Sequence, residues 1–140
     1  MTEANVLMLF ARWNAALASG DPDAVTALYA EDAVLLPTVS NQVRHNHEEI
    51  RDYFVNFLAK NPQGVINESN IRSLSSDVVI NSGVYTFTFG NGDRVTARFT
   101  YLYRKVGGEW KIAEHHSSAM PEPVTAAAEK ADTEEEAVAA

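Results

Sequence analysis

Four histidines stand out in a chain of 140 residues that contains no cysteine. The missing thiols exclude disulfides, thiolate catalysis and cysteine-ligated zinc or iron–sulfur clusters. His45 and His47 form an H-x-H pair, and His115 and His116 are adjacent. Imidazoles can hold zinc or manganese, so His45, His47 and His115 are one candidate ligand set. The competing reading is that these are surface or hydrogen-bonded histidines. On a strand, His115 and His116 must face opposite sides, so only one of them can enter a given cavity. Ser117 and Ser118 follow directly. Alternation then places His115 with Ser117 on one face and His116 with Ser118 on the other, roughly 6–7 Å apart within each pair.

A second set of polar side chains lies upstream. Along residues 94–105, Arg94, Thr96, Arg98, Thr100 and Arg104 share one strand face, and Val95, Ala97, Phe99, Tyr101 and Tyr103 share the other. Two arrangements fit this pattern. The apolar row can pack on helices with the Arg/Thr row in water. Alternatively, the Arg/Thr row lines a cavity, where the Arg98 guanidinium would suit a small planar anion, and the apolar row packs against a second copy of the chain. Tyr53 and Tyr85 carry hydroxyls that need partners if buried. Thr38 sits just after Pro37, at the expected end of a strand.

The elements that would position these groups follow from periodicity and turn residues. Residues 5–19 repeat apolar side chains at helical spacing, and Gly20 marks the stop. Asp21 and Pro22 open a second helix with Val25, Leu28 and Tyr29 on its apolar face. Residues 33–36 form a short strand ended by Pro37, a polar loop runs from 38 to 47, and residues 48–60 form a third helix. Residues 65–74, 78–89, 94–105 and 109–118 read as strands separated by short turns, which makes neighbouring strands antiparallel. Helices followed by a meander predict an α+β fold, with the helices on one face of a curved sheet that encloses a conical cavity.

The chain divides at residue 123. The expected domain covers 1–123, and 124–140 is expected to be an acidic Ala/Glu-rich tail, disordered or partly helical. Of the net charge of −8, residues 121–140 carry six acids and Lys130, a net of −5, so the first 120 residues are only mildly acidic. No cluster of Lys and Arg argues for nucleic acid. No apolar run approaches the roughly 20 residues of a membrane span, and no basic leader precedes one, so the expected location is cytoplasmic.

Several segments carry a resemblance to known proteins. They are Trp13-Asn14-Ala15-Ala16-Leu17, Gly20-Asp21-Pro22, residues 28–38 and Trp110-Lys111-Ile112. Over about residues 5–123 the chain resembles the nuclear-transport-factor-two-like (cystatin-like) cone fold. More narrowly, it resembles the association domain of calcium/calmodulin-dependent kinase II. The ending His115-His116-Ser117-Ser118-Ala119-Met120-Pro121-Glu122, with Pro37-Thr38, Arg44-His45-Asn46-His47 and Tyr53-Phe54, is similar to the iota class of carbonic anhydrase. That resemblance implies a lyase that hydrates CO2 to bicarbonate and works without a metal in some members. It implies Thr38, Tyr53, His115 and Ser117 as catalytic groups and Arg98, His116, Ser118 and Tyr85 as substrate-binding groups. No cofactor is expected, the alternative being zinc or manganese through His45, His47 and His115. A homodimer or larger homo-oligomer is expected, and the alternative function is a non-enzymatic small-ligand or oligomerisation hub. A ketosteroid isomerase of the same fold would carry a carboxylate where Leu36 stands, which speaks against that chemistry.

Overall fold

The computed structural model describes residues 1–123, so the expected tail, 124–140, lies outside the described residues. Helix α1 (Glu3–Ser19) starts where the Thr2 side chain accepts from the Asn5 amide at 3.1 Å and stops at Gly20, whose φ of 73° is left-handed. It buries Val6, Phe10, Trp13 and Leu17, a stripe spaced four, three and four residues apart. Helix α2 (Pro22–Thr26) is capped by Asp21. Helix α3 (His47–Leu58) is capped by Asn46 and buries Ile50, Phe54, Phe57 and Leu58. These faces pack on one side of a five-stranded sheet of β1 (Tyr29–Leu36), β2 (Gln63–Ser75), β3 (Val78–Thr88), β4 (Arg94–Val106) and β5 (Glu109–Ala119). The architecture is therefore α+β, as the element order predicts.

The strand order is β1-β5-β4-β3-β2. Three pairings are antiparallel, joined by tight turns such as Gly107-Gly108, both at positive φ. The pairing of β1 with β5 is parallel, which an all-antiparallel reading of the sheet does not anticipate. β1 also begins earlier than the sequence predicts, at Tyr29, which the sequence places on the second helix, rather than at residue 33. Tyr29 pairs in register with Ile112, and the Ile112 amide bonds the Leu28 carbonyl. The sheet's backbone bonds thus outweigh a local helical signal in a short segment.

Strand β4 settles which row faces the helices. Ala97, Phe99, Tyr101 and Tyr103 are buried, and Val95 is half-buried beside them, whereas Arg94 and Arg98 are exposed. The apolar row packs inward and the arginine row lies on the outer face. The arrangement with arginines in the cavity, and the dimer argument built on an apolar outer row, are corrected accordingly. The bulge in β2 between Ile66 and Glu68 lies opposite Tyr85 and Val84, and at the next residue, Gly83, a Cβ would stand 1.9 Å from the Glu68 carbonyl oxygen. Only glycine allows that approach beside the bulge.

Candidate functional site

Strand β5 lies between β1 and β4, which places His115 against Leu35 on one side and Tyr101 on the other. Its side chain points inward with Ser117 on the same face, as strand alternation requires. His115 is buried, its ring stacked on Tyr101 at 4.1 Å between centroids and edge-on to Trp13 at 5.6 Å. Both ring nitrogens are engaged. Nδ1 lies 2.8 Å from the Tyr29 hydroxyl and Nε2 lies 3.1 Å from the Tyr85 hydroxyl. Beyond these, Trp13 Nε1 donates to Tyr29 Oη at 3.1 Å, and Tyr85 Oη donates to Ser117 Oγ at 2.8 Å. Ser117 Oγ and Thr38 Oγ1 share a further hydrogen bond. Six side chains from α1, β1, β3, β5 and the loop after β1 thus form one continuous chain.

The chain ends at a cavity of about 40 Å³. A water-sized centre occupies roughly 10–15 Å³, so there is room for about three to four small heavy-atom centres. Thr38, Tyr53, Tyr85, His115 and Ser117 supply the polar part of the wall. Leu35, Pro37, Phe54, Phe57, Phe87 and Val95 are among the apolar remainder, and among the described residues no carboxylate, Lys or Arg lines it. Val39, Phe89 and Val95 also border an open depression lined by Lys60, Asn61, Asn91 and Asp93, so they form the mouth.

Burial sets the electrostatics. Desolvation, with a smaller contribution from His116, pushes the His115 pKa down to about 3, which keeps the imidazole neutral at neutral pH. Desolvation raises the pKa values of Tyr29, Tyr53 and Tyr85, so these phenols stay protonated. The site is therefore an array of neutral hydroxyls around a neutral imidazole. Arg44 stands outside it. Its guanidinium lies 5.4 Å from the Tyr53 ring centre and bonds Ser40 and the Gln42 and Glu49 carbonyls, tying the loop beside Thr38 to α3.

The structure brings Thr38, Tyr53, Tyr85, His115 and Ser117 together and leaves Arg98, His116 and Ser118 apart. Arg98 pairs with Ser118 and Thr100 with His116 on the outer face of the sheet, with Arg98 and His116 exposed. As substrate-binding groups of the cavity, those three are corrected by alternation alone. The proposed metal ligands do not converge either. His45 Nδ1 bonds Glu49 on the surface at 3.0 Å, and His47 Nε2–H donates to the Tyr29 carbonyl at 2.7 Å. Among the described residues no group of three His, Asp or Glu is placed to hold a metal. Zinc or manganese through His45, His47 and His115 does not fit this geometry. Trp13 and Tyr29 are part of the chain, although the sequence reading assigns them to the core. The available signal was a hydroxyl and an indole N–H inside stripes that Phe or Leu could fill.

A family model for the calcium/calmodulin dependent protein kinase II association domain matches residues 2–121. A Xanthomonas campestris structure named for the same domain is 54% identical, with a TM-score of 0.83 over 87% of this chain and 91% of that one. A Pseudomonas putida nuclear-transport-factor-two-like protein of unknown function is 18% identical, with a TM-score of 0.74 over 86% and 87% of the two chains. A Nostoc punctiforme protein of unknown function with a cystatin-like fold is 20% identical, with a TM-score of 0.71 over 84% and 90%. The last two show the fold alone. No curated protein matches the chain.

Proposed function

We propose that this chain, which belongs to the calcium/calmodulin dependent protein kinase II association domain family, is a carbonic anhydrase that interconverts CO2 and bicarbonate without a metal. The observation that carries this reading is the match between cavity and guest. A space of about 40 Å³ has aromatic walls and one polar side made of Thr38, Ser117, Tyr85 and Tyr53 hydroxyls. CO2 is apolar and small enough to enter with one water. Larger substrates, and chemistry that needs a carboxylate base, are poorly served by this wall.

In the proposed reaction CO2 rests on the aromatic side and the water lies beside Thr38. The water oxygen bonds to carbon as one C=O electron pair moves onto its oxygen. Thr38 Oγ1 takes a proton from the water while its own proton passes to that oxygen, and Ser117 and Tyr85 hold Thr38 in place. The carbonic acid formed ionises to bicarbonate, and its proton leaves through the mouth to solvent. His115 is a positioning residue in this scheme, because both nitrogens are occupied and its pKa is about 3. Orientation in a water-poor site supplies the acceleration.

The test is stopped-flow CO2 hydration with EDTA and, separately, with added zinc or manganese. Activity above buffer that survives EDTA is expected. No activity under either condition overturns the enzymatic reading, and activity only with added metal overturns the metal-free one. The family description also supports self-association as a homodimer or larger assembly, with or without catalysis. Light scattering at micromolar concentration checks this, and a monomer there overturns it. No described helix is long and apolar enough to cross a membrane.

A further inference from the structure

We infer that Trp13 and Tyr29 fix the direction of the hydrogen-bond chain, so that its Ser117–Thr38 end presents a neutral O–H donor to the cavity, which therefore takes guests through an acceptor oxygen. An indole N–H can only donate, so Tyr29 Oη must accept from Trp13 Nε1. The Tyr29 hydroxyl proton then has one remaining partner, His115 Nδ1 at 2.8 Å. If Tyr29 donates there, Nδ1 is the unprotonated nitrogen and Nε2 carries the hydrogen. Nε2–H donates to Tyr85 Oη, Tyr85 donates to Ser117 Oγ, and Ser117 and Thr38 share the last bond. Whichever of these two hydroxyls donates in that bond, the other's proton is the free end, and both residues line the cavity.

The opposite direction fails at Tyr29. With hydrogen on His115 Nδ1, Tyr29 Oη would accept twice, and its own proton would be buried with no acceptor. Tyr29 is 1% exposed, so water does not reach it freely. An indole at the closed end of the chain, itself part of the cavity wall, thus chooses the guest's polarity. Small carboxylates and bicarbonate satisfy a donor, whereas an ammonium of equal size does not. This deepens the carbonic anhydrase reading and rests on the same cavity, but the direction of the chain can be measured without any activity.

The experiment is a long-range proton–nitrogen-15 correlation on the full chain at pH 7, assigned to His115. The expected spectrum shows hydrogen on Nε2 and a bare Nδ1. Hydrogen on Nδ1, or a protonated ring, overturns the inference even if no variant folds. Trp13→Phe removes the obligate donor, and a mixture of both His115 tautomers is expected. Phe10→Leu controls for packing, since Phe10 touches the Trp13 and Tyr85 rings without joining the chain. Equal tautomer mixing in both variants would assign the effect to packing and overturn the role of Trp13. Titration with formate should shift the Thr38 and His115 signals, while methylammonium should not. Binding of methylammonium at those signals also overturns the inference. A clean Nε2–H spectrum with formate binding but no CO2 hydration sinks the catalytic reading and leaves this one standing.

Discussion

Ser117 and Tyr103 carry the same functional group, a hydroxyl, in opposite situations. The Ser117 hydroxyl has two partners at the cavity wall, whereas the Tyr101 and Tyr103 hydroxyls are buried with no protein partner among the described residues. A buried polar group without a partner costs about 1–3 kcal/mol. Tyr103→Phe is therefore expected to raise stability by about 1 kcal/mol, read as a higher urea midpoint with unchanged slope. Tyr85→Phe should do the reverse, because it strands both His115 Nε2–H and a Ser117 lone pair. If both substitutions lower the midpoint equally, the distinction between paired and unpaired tyrosines is wrong. For rate, Thr38→Val keeps the shape and deletes the only hydroxyl proposed to touch both water and CO2. A loss of about a hundredfold in kcat/KM is expected, the equivalent of about 3 kcal/mol. A change of less than threefold in stopped-flow hydration would remove Thr38 from the reaction.

At the scale of the element, β5 decides which side chains can matter. Ser117→Ala should lose about tenfold or more in hydration rate, while Arg98→Ala and His116→Ala should stay within about twofold, because both lie on the outer face. An Arg98→Ala variant as impaired as Ser117→Ala would mean that the outer face supplies the site. That His115 and Ser117 share a face was legible from alternation once β5 was recognised as a strand, whereas alternation alone does not say which face points inward. The facing of β4 was not, because an apolar row and an Arg/Thr row each suit either side of a sheet until a cover is known. The cover here is α1 and α3. The start of β1 was illegible for a different reason. Tyr29 is held as strand by pairing with Ile112 of β5, more than 80 residues away, which no local pattern carries. Trp13 and Tyr29 were hidden because core periodicity explains their positions so well that their polar atoms add nothing to the pattern.

At the scale of the whole molecule, a neutral imidazole at the centre of the fold ties global stability to pH. His115 is enclosed by Trp13 from α1, Tyr29 from β1, Tyr85 from β3 and Tyr101 from β4, and His116 on its own strand is the other group that acts on it. The tyrosines stay uncharged in acid, so nothing in the enclosure welcomes an imidazolium. In the unfolded chain a histidine titrates near 6.5, whereas in the fold this one titrates at about 3. Above pH 6.5 neither state binds the proton, and His115 makes no pH-dependent contribution. Between 6.5 and 3 the unfolded state binds it and the native state does not, so stability falls as pH falls. The limiting slope is about 1.4 kcal/mol per pH unit. Asp32, exposed and with its pKa lowered by Arg104, loses its ionic partner only at lower pH. Comparison of the full chain with a His115 variant across pH 6.5 to 5 therefore isolates the contribution of His115. Urea midpoints for the full chain should fall across that interval and stay level from pH 7 to 8. In His115→Gln, whose side chain does not titrate, the midpoint should be lower throughout and nearly flat from 6.5 to 5. A wild-type midpoint that does not change between pH 7 and 5 would show that the ring is reached by solvent or already paired with an anion. In either case His115 could act as an acid or base at the cavity rather than hold its hydroxyls in place.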